Sequence, residues 1–287
     1  MQTSSPSIFK QFYDLVRFEH TLFALPFAYG GMLLAARGWP GIAVFIWVTL
    51  AMVGARTAAM ALNRLIDREI DRKNPRTQER ALAKGTLEPG PVWGLALGSL
   101  ALLGVSAVML NPLATVLFPV AVIFLVLYSY TKRFTWLCHL VLGVTNGAAA
   151  AGGWIAVTGY FEPDTFALWG AVALWIGGFD VLYALQDYAF DRQERLHSIP
   201  ARFGIAKALT IARASHGLAW ALFVLTGVLY GAGIWYFLGV AFIGAVLVYE
   251  HSLVKPDDLS RVEQAFFQAN VAVSLSMLLF VGLEVWL

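Results

Sequence analysis

Charged residues are scarce in this chain of 287 residues. Aspartate, glutamate, lysine and arginine together make up 13% of it, whereas 59% of the residues are hydrophobic. A soluble domain carries about 25% charged residues, so the composition argues against a water-soluble protein and favours one that crosses a membrane several times. The formal net charge is only +2, which gives no indication of a nucleic-acid-binding surface.

Cysteine is almost absent as well. The single residue Cys138 excludes an intrachain disulfide and a metal site built from several thiolates. The five histidines show no metal-ligand spacing along the chain. His20, His197 and His251 lie near the predicted ends of hydrophobic segments, where we expect ordinary interfacial hydrogen bonds. Cysteine and histidine therefore give no sequence signal for a metal site.

Long hydrophobic runs recur along the whole chain, and about 20 apolar residues are needed to cross a bilayer as a helix. The spans must be helical because backbone polar groups inside lipid need partners within the segment. The polar, acidic beginning of the chain is unlike a signal peptide, so we expect the first run to be retained. We predict nine spans, at about 18–36, 42–63, 92–110, 113–130, 136–157, 164–186, 206–230, 233–250 and 263–286.

The distribution of lysine and arginine predicts the orientation of these spans. The N-terminal arm, with Lys10 and Arg17, and the loops after the even-numbered spans together hold sixteen basic residues, whereas the opposite side has Arg37 alone. Basic loops remain on the cytoplasmic side. We therefore expect the N-terminus and the even-numbered loops to face the cytoplasm, in a cell (inner) membrane.

Two acidic clusters interrupt the apolar pattern, NRLIDREIDRKNPRT and DVLYALQDYAFDRQER, and both follow even-numbered spans. Asp67 and Asp71 are four residues apart, as are Asp187 and Asp191, and the corresponding aspartates of the two clusters are separated by the same 120 residues. The clusters should therefore meet on one face of the membrane. The repeated spacing suggests two related four-helix halves with one additional helix.

Residues four apart lie on one face of a helix, so each cluster forms a ladder of carboxylates at a helix end, and Asn63 shares the face of Asp67. Two opposed ladders would repel each other unless cations lay between them. Mg²⁺ takes one or two protein carboxylates and completes its shell with water and phosphate oxygens. The pattern thus suits a diphosphate held by magnesium between two helices, with nearby basic side chains neutralising the leaving group. Solvated surface ion pairs are the plainer alternative for a single cluster, but two matched clusters disfavour it.

Three more residues stand out near these clusters. Arg56 lies seven residues before Asn63, on the same face and about 10 Å deeper. An arginine at that depth should face a cavity and a partner, and its planar fork suits a carboxylate or phenolate. Tyr128 and Lys132 end the fourth span four residues apart. Lys132 can bind phosphate, although both side chains are also typical anchors at a membrane interface.

The clusters resemble the two aspartate-rich motifs of the UbiA superfamily of intramembrane prenyltransferases. NRLIDREID with the trailing PRT resembles the first motif, NxxxDxxxD, and YALQDYAFD resembles the second. YSYTK matches the family's YxxxK, and the arginine seven residues before the motif asparagine is also shared. LHSIPARFG resembles the 4-hydroxybenzoate polyprenyltransferase branch, whereas RFEHTLFALPFAYGGMLLAA looks more like the branch placed in menaquinone synthesis through futalosine.

This resemblance implies an all-α membrane protein, with residues 1–287 forming one domain of nine transmembrane helices around a central cavity that opens to the cytoplasm. Loops at about 67–90 and 187–205 would cap that cavity. Two Mg²⁺ ions would be held together with a polyprenyl diphosphate. The roles implied are catalysis and metal binding for Asp67, Asp71, Asp187 and Asp191, support of the metal and the aromatic substrate for Asn63, diphosphate contact for Arg72, Arg76, Lys132 and Tyr128, and orientation of the aromatic acceptor for Arg56.

The acceptor implied is a hydroxylated aromatic carboxylic acid, either 4-hydroxybenzoate or 1,4-dihydroxy-6-naphthoate, in respiratory quinone biosynthesis. Beyond these substrates and the lipid bilayer, the sequence indicates no obligatory protein partner. A multi-pass secondary transporter with an acidic ion-binding site is the main alternative. Transporters, however, place their sites near the bilayer midplane on broken helices, whereas these acids lie at helix ends. A structural subunit would leave the two matched clusters unexplained.

Overall fold

The computed structural model describes residue 15 and residues 21–287. Lys10, Arg17, His20 and the beginning of the first predicted span lie outside the described residues. In the described part of the chain the ordered elements are helices, and no strand is formed. The long helices are α1 (Thr21–Ala36), α2 (Ile42–Ile66), α3 (Pro89–Leu110), α4 (Pro112–Thr131), α5 (Cys138–Thr158), α6 (Pro163–Ala184), α7 (Ile205–Tyr230), α8 (Ile234–Leu253) and α9 (Asn270–Trp286).

These helices confirm the predicted class of all-α, multi-pass membrane protein. Eight helical segments are long and apolar enough to cross a bilayer, when α9 is counted with the short helical turns that precede it. The first helix is apolar but shorter over its described residues. Each predicted span coincides with one long helix, and the count of nine crossings stays a prediction.

Helix ends depart from the predicted boundaries where polar segments begin. Helix α2 continues three residues past its predicted end, to Ile66. Helix α6 gives way to a 3-10 turn at Leu185–Asp187, and α9 is preceded by a short helix at Val262–Gln264 and a π-helical turn at Ala265–Ala269. Such π turns are often found at functional sites, and this one places Phe266 on the wall of a cavity.

The segments predicted to cap the cavity contain four short helices, at Arg68–Lys73, Ala81–Lys84, Tyr188–Gln193 and Ile199–Phe203. Two of them continue long helices after a break of one residue. Asp67 separates α2 from its short helix with φ −92° and ψ 7°. Asp187 stands at the corresponding break after α6 with φ −99° and ψ 6°. The backbone thus repeats locally at the 120-residue offset seen in the sequence, while the division into two four-helix halves stays a prediction.

Helix α5 packs closely against its neighbours through small residues. A Cβ atom added to Gly31 of α1 would lie 2.2 Å from the carbonyl oxygen of Ala150 of α5, and one added to Gly153 would lie 2.0 Å from the carbonyl oxygen of Ala28. Helix packing in lipid depends on such close backbone approach. Helices α1 and α5 therefore lie between the two groups of helices that enclose the cavities described below.

The loops after α2, α4 and α6 lie together on one face, as the basic-residue distribution requires. Lys73 forms an ion pair with Glu194 at 2.8 Å, which joins the first and third of these loops. The backbone N–H of His197 donates to the carbonyl oxygen of Lys132 at 2.7 Å, which joins the second and third. On the opposite face, Arg37 donates to the carbonyl oxygen of Tyr230. The two acidic clusters therefore do meet at one end of the bundle.

Candidate active site

Each of the four motif aspartates forms an ion pair with a different basic side chain. Their carboxylates converge from the ends of α2 and α6, so this contact set joins both halves of the fold. The pairs are Asp67–Arg133, Asp71–Arg80, Asp187–Arg76 and Asp191–Lys132. Four closely placed carboxylates are compatible with one another here because four cations compensate their charge.

Asp67 is held by one residue from its own motif and one from the loop after α4. Asn63 Nδ2 donates to its Oδ2 at 2.8 Å, and Arg133 Nη2 donates to its Oδ1 at 3.1 Å. Asn63 also donates to the hydroxyl of Ser129 at 3.3 Å. Burial raises the pKa of Asp67, and the hydrogen bond from Arg133 partly offsets this. The expected support of Asp67 by Asn63 thus exists as a direct hydrogen bond.

Asp71 points at an arginine that the motif spacing did not single out. Arg80 Nη1 approaches both carboxylate oxygens, at 2.7 and 2.8 Å. Thr77 donates its hydroxyl to the backbone carbonyl of Asp71 at 3.1 Å, which holds the loop between them in place. No helical periodicity relates residues 71 and 80, since a loop brings them together, and this explains why the sequence gave no signal for Arg80.

Asp187 is gripped across the cavity by the first cluster. Arg76 donates to it through Nε at 2.9 Å and through Nη2 at 2.5 Å, the two-pronged arrangement that suits guanidinium and carboxylate. Asn74 adds a hydrogen bond at 2.9 Å. Burial alone would lower the pKa of Arg76, but its bonds to Asp187 raise the pKa, so the guanidinium stays charged. The NPR segment of the first motif thus anchors the second motif.

Asp191 lies deepest, with no exposed side-chain surface, and Lys132 Nζ is 2.7 Å from its Oδ1. Burial alone would lower the pKa of Lys132, yet the charges of Asp191 and Asp187 raise it above its usual value. Lys132 therefore stays protonated between the two carboxylates of the second motif. Its predicted neighbour Tyr128 lines the same cavity but donates its hydroxyl to the carbonyl oxygen of Ala59 at 2.9 Å.

These side chains line a cavity of about 300 Å³ at the end of the bundle. Of the residues predicted for the site, nine line it: Arg56, Asn63, Asp67, Asp71, Arg76, Tyr128 and Lys132, with Asp187 directly and Asp191 through Lys132. Arg72 does not line the cavity. Its guanidinium donates to the carbonyl oxygen of Ala83 and to Glu69 instead, so the structure gives no support to a diphosphate contact there. Arg64 and Arg80 line the cavity in its place.

A second cavity, of about 270 Å³, continues from the first between α1 and α5 and is almost wholly apolar. Arg56, Ala24, Ala59 and Asn146 line both cavities. The second one extends along α4 past Phe124, Ala121 and Leu117 to Ala114. Arg56 therefore stands at the boundary between a charged chamber and an apolar channel, which gives this intramembrane arginine the cavity that its depth requires.

An ordered histidine–aspartate pair, which the sequence did not reveal, also lines the polar cavity. The backbone N–H of Ile199 donates to His139 Nε2 at 3.2 Å, so Nε2 carries the lone pair and the proton resides on Nδ1. His139 Nδ1 then donates to Asp180 Oδ2 at 2.7 Å. His139 is buried, whereas Asp180 keeps part of its surface open to the cavity. The sequence shows Asp180 only as a residue seven before Asp187.

A model of the UbiA prenyltransferase family matches residues 24–272. The chain belongs to the UbiA prenyltransferase family. It is therefore a prenyltransferase, and this membership decides against the transporter alternative. The paired carboxylates described above are those that carry the family's motifs in this sequence.

Relatives and solved structures within the UbiA family agree with this assignment. The chain is 31% identical over 264 residues to a 4-hydroxybenzoate octaprenyltransferase of Shewanella halifaxensis, covering 91% of this chain and 88% of the relative. It is 31% identical over 255 residues to a 4-hydroxybenzoate solanesyltransferase of Synechocystis, covering 85% of this chain and 84% of that relative. The apo structure of a UbiA homolog from Aeropyrum pernix K1 superposes with a TM-score of 0.84 at 34% identity, covering 93% of this chain and 98% of that one.

A more distant UbiA structure shows the same fold with ligands. The homolog from Archaeoglobus fulgidus, bound to GPP and Mg²⁺, has a TM-score of 0.77 at 18% identity, and the match covers 96% of this chain and 100% of that one. At this identity the likeness concerns the fold alone.

Proposed function

We propose that this protein transfers a polyprenyl group from polyprenyl diphosphate to a hydroxylated aromatic carboxylic acid, with Mg²⁺ as cofactor. The observation that carries the proposal is the set of four acid–base pairs at the mouth of an apolar channel. The relatives named for 4-hydroxybenzoate support the class of acceptor, and 1,4-dihydroxy-6-naphthoate is the second candidate. The product would serve respiratory quinone biosynthesis.

The residues present fit a magnesium diphosphate. Carboxylate oxygens are the hard ligands that Mg²⁺ prefers, one or two for each ion, and Asp67, Asp71, Asp187 and Asp191 would supply them. When bound, the metal supplies positive charge that stabilises the departing diphosphate. Arg76, Arg80 and Lys132 already lie beside these carboxylates. On substrate binding they would turn from the carboxylates to the phosphate oxygens, whose charge they neutralise.

The two cavities would sort the substrate by polarity. The diphosphate occupies the charged chamber, and the isoprenoid tail extends into the apolar channel along α4. The allylic carbon then lies near Arg56, where the chambers join, and the apolar lining keeps water from quenching the cation. Arg56 would hold the carboxylate of the aromatic acid through its planar guanidinium.

The ring proton also needs an acceptor, and we propose Asp180 for this role. When the ring carbon forms its bond to the allylic carbon, the C–H bonding pair returns to the ring and the proton leaves to the Asp180 carboxylate. His139 acts as a positioning residue, since its fixed Nδ1–H holds one carboxylate oxygen and leaves the other facing the cavity. The expected orientation places this chamber at the cytoplasmic side of a cell (inner) membrane, where the diphosphate is available.

A membrane assay tests the proposal directly. Native protein is supplied with one long polyprenyl diphosphate and either 4-hydroxybenzoate or 1,4-dihydroxy-6-naphthoate, in separate reactions with Mg²⁺ and with a chelator. We expect a prenylated product from at least one acid in the presence of Mg²⁺ and none with the chelator. Formation of no product from either acid by a folded protein would reject the proposed acceptor class, and turnover unaffected by the chelator would reject the magnesium assignment.

A further inference from the structure

A second group of titratable side chains lies apart from the aspartates, between α7 and α8. It consists of His216 on α7 and of Glu250 and His251 on α8. His216 and Glu250 are buried, and His251 keeps a partly exposed edge. None of the three lines the polar cavity, and the proposed prenyl transfer uses none of them. The group therefore needs an explanation of its own.

The proton positions in this group can be deduced from its contacts. His216 Nε2 lies 3.1 Å from the carbonyl oxygen of Trp175. A carbonyl only accepts, so Nε2 carries the proton and Nδ1 of the neutral ring bears a lone pair. That lone pair lies 3.0 Å from His251 Nε2 and 3.3 Å from Glu250 Oε2. Three potential acceptors thus converge in a buried position, which is unfavourable unless a proton or a cation lies between them.

The spacing of these atoms matches a tetrahedral zinc centre. Zn²⁺ binds imidazole nitrogen and carboxylate oxygen at about 2.0–2.2 Å, which places neighbouring ligand atoms roughly 3.3 Å apart in a tetrahedron. The two measured separations are 3.0 and 3.3 Å, and all three ligand atoms lie within 4.8 Å of one another. Two histidines and one glutamate are also a recurrent zinc ligand set.

The surroundings orient these ligands as they are oriented in metal sites. Histidines that bind metals donate their other N–H to a carbonyl or carboxylate, as His216 does to Trp175. Asn270 at the start of α9 donates to Glu250 Oε1 at 3.4 Å and to the carbonyl oxygen of Phe266 at 2.6 Å. Gly178 makes room for the His216 ring, because a Cβ atom there would lie 2.4 Å from Nε2.

We propose that His216 Nδ1, Glu250 Oε2 and His251 Nε2 bind a zinc ion, with a fourth position open to water. The ion ties α7 to α8. Through Asn270 it also steadies the π-helical turn whose Phe266 lines the polar cavity. The site is structural, and it is independent of the magnesium diphosphate proposed at the aspartates.

Metal analysis of purified protein tests this site without substrate or turnover. The full chain, carrying an affinity tag free of histidine, is exposed to Zn²⁺, washed with a weak chelator and analysed for bound metal. Co²⁺ is loaded in parallel, because a tetrahedral Co²⁺ centre gives visible absorption. The test variants are His251→Gln and Glu250→Gln, which keep side-chain size, and Asn270→Ala. His197→Gln, which removes an exposed histidine elsewhere, and Asp187→Asn are the controls.

We expect about one zinc per native chain and the same amount in His197→Gln and Asp187→Asn. Removal of a metal's outer-shell partner weakens binding about 10–100-fold, so Asn270→Ala should lose about tenfold and the two ligand variants at least about 100-fold. Size-exclusion chromatography checks that each variant is folded. A folded native chain without stoichiometric zinc or tetrahedral Co²⁺ absorption would overturn the proposal and leave a cluster held by a shared proton. Zinc loss confined to Asp187→Asn would assign the metal to the aspartates instead.

Discussion

The pair Lys132–Asp191 allows the pairing of the aspartates to be tested quantitatively. We consider the replacement Lys132→Met, which keeps an unbranched chain of similar length but removes the charge. Asp191 has no exposed side-chain surface, and Lys132 is 32% exposed. Removal of one partner from a buried ion pair destabilises a protein by about 3–5 kcal/mol. Since Lys132 retains access to solvent, we expect the lower end, about 3 kcal/mol.

Thermal unfolding in detergent, without substrates, measures this effect. For a protein of this size 3 kcal/mol lowers the midpoint by roughly 6 °C or more. Added Mg²⁺ should recover most of the loss, because the ion replaces the missing ammonium beside Asp191. The matched control is Lys73→Met, which breaks an ion pair of similar length, 2.8 Å, between side chains that are 62% and 28% exposed. Such a surface pair contributes about 0–1 kcal/mol.

Two results would refute this reasoning. If Lys132→Met and Lys73→Met shift the midpoint equally, burial of Asp191 does not determine the strength of its pair. If Mg²⁺ stabilises the native protein and Lys132→Met by the same amount, the ion does not take the place of the lysine, and Asp191 is not a metal ligand.

The remaining predictions concern turnover. Asp67→Asn should lower kcat/KM by at least about 100-fold, since loss of a mere outer-shell partner already costs 10–100-fold, and near-native magnesium-dependent turnover would contradict the metal assignment. Arg56→Ala should raise KM for the aromatic acid about 10–100-fold, as a charged hydrogen bond contributes about 1.5–3 kcal/mol, while prenyl diphosphate binding, measured separately, stays unchanged; equal losses for both substrates would argue against its role. Asp180→Asn should lower kcat with little change in prenyl diphosphate binding, and native kcat would exclude it as the proton acceptor. Ala121→Trp should block the apolar channel and lower kcat/KM for a long prenyl diphosphate at least about tenfold, with a ten-carbon substrate spared and Ile123→Trp, on the lipid-facing side of α4, as the control.

Local spacing in the sequence predicted the parts of the site that lie within one helix or its continuation. Asn63, Asp67 and Asp71 were expected on one helix face, and the structure keeps Asn63 and Asp67 in direct contact although the helix breaks at Asp67. The hydrophobic runs likewise located the long helices, because 20 apolar residues have few alternatives in lipid. The breaks themselves could not be foreseen, since the residues around Asp67 and Asp187 are compatible with a continuous helix.

Contacts made by loops and by distant helices left no such signal. Arg80 reaches Asp71, and Arg133 reaches Asp67, only through the path of the intervening chain. His216 and His251 are 35 residues apart, so the absence of metal-ligand spacing in the sequence did not exclude a site formed by packing of α7 against α8. Arg72 shows the opposite error, because a basic residue beside a motif aspartate turns outward towards Glu69.

The four acid–base pairs have a consequence for the end of the catalytic cycle. After transfer, pyrophosphate must leave a chamber rich in cations that would otherwise retain it. Each arginine or lysine that lets go of a phosphate oxygen has its own carboxylate within reach, so departure of the product is compensated step by step as the pairs close again. Internal competition of this kind keeps the by-product from acting as an inhibitor and resets the chamber for the next substrate.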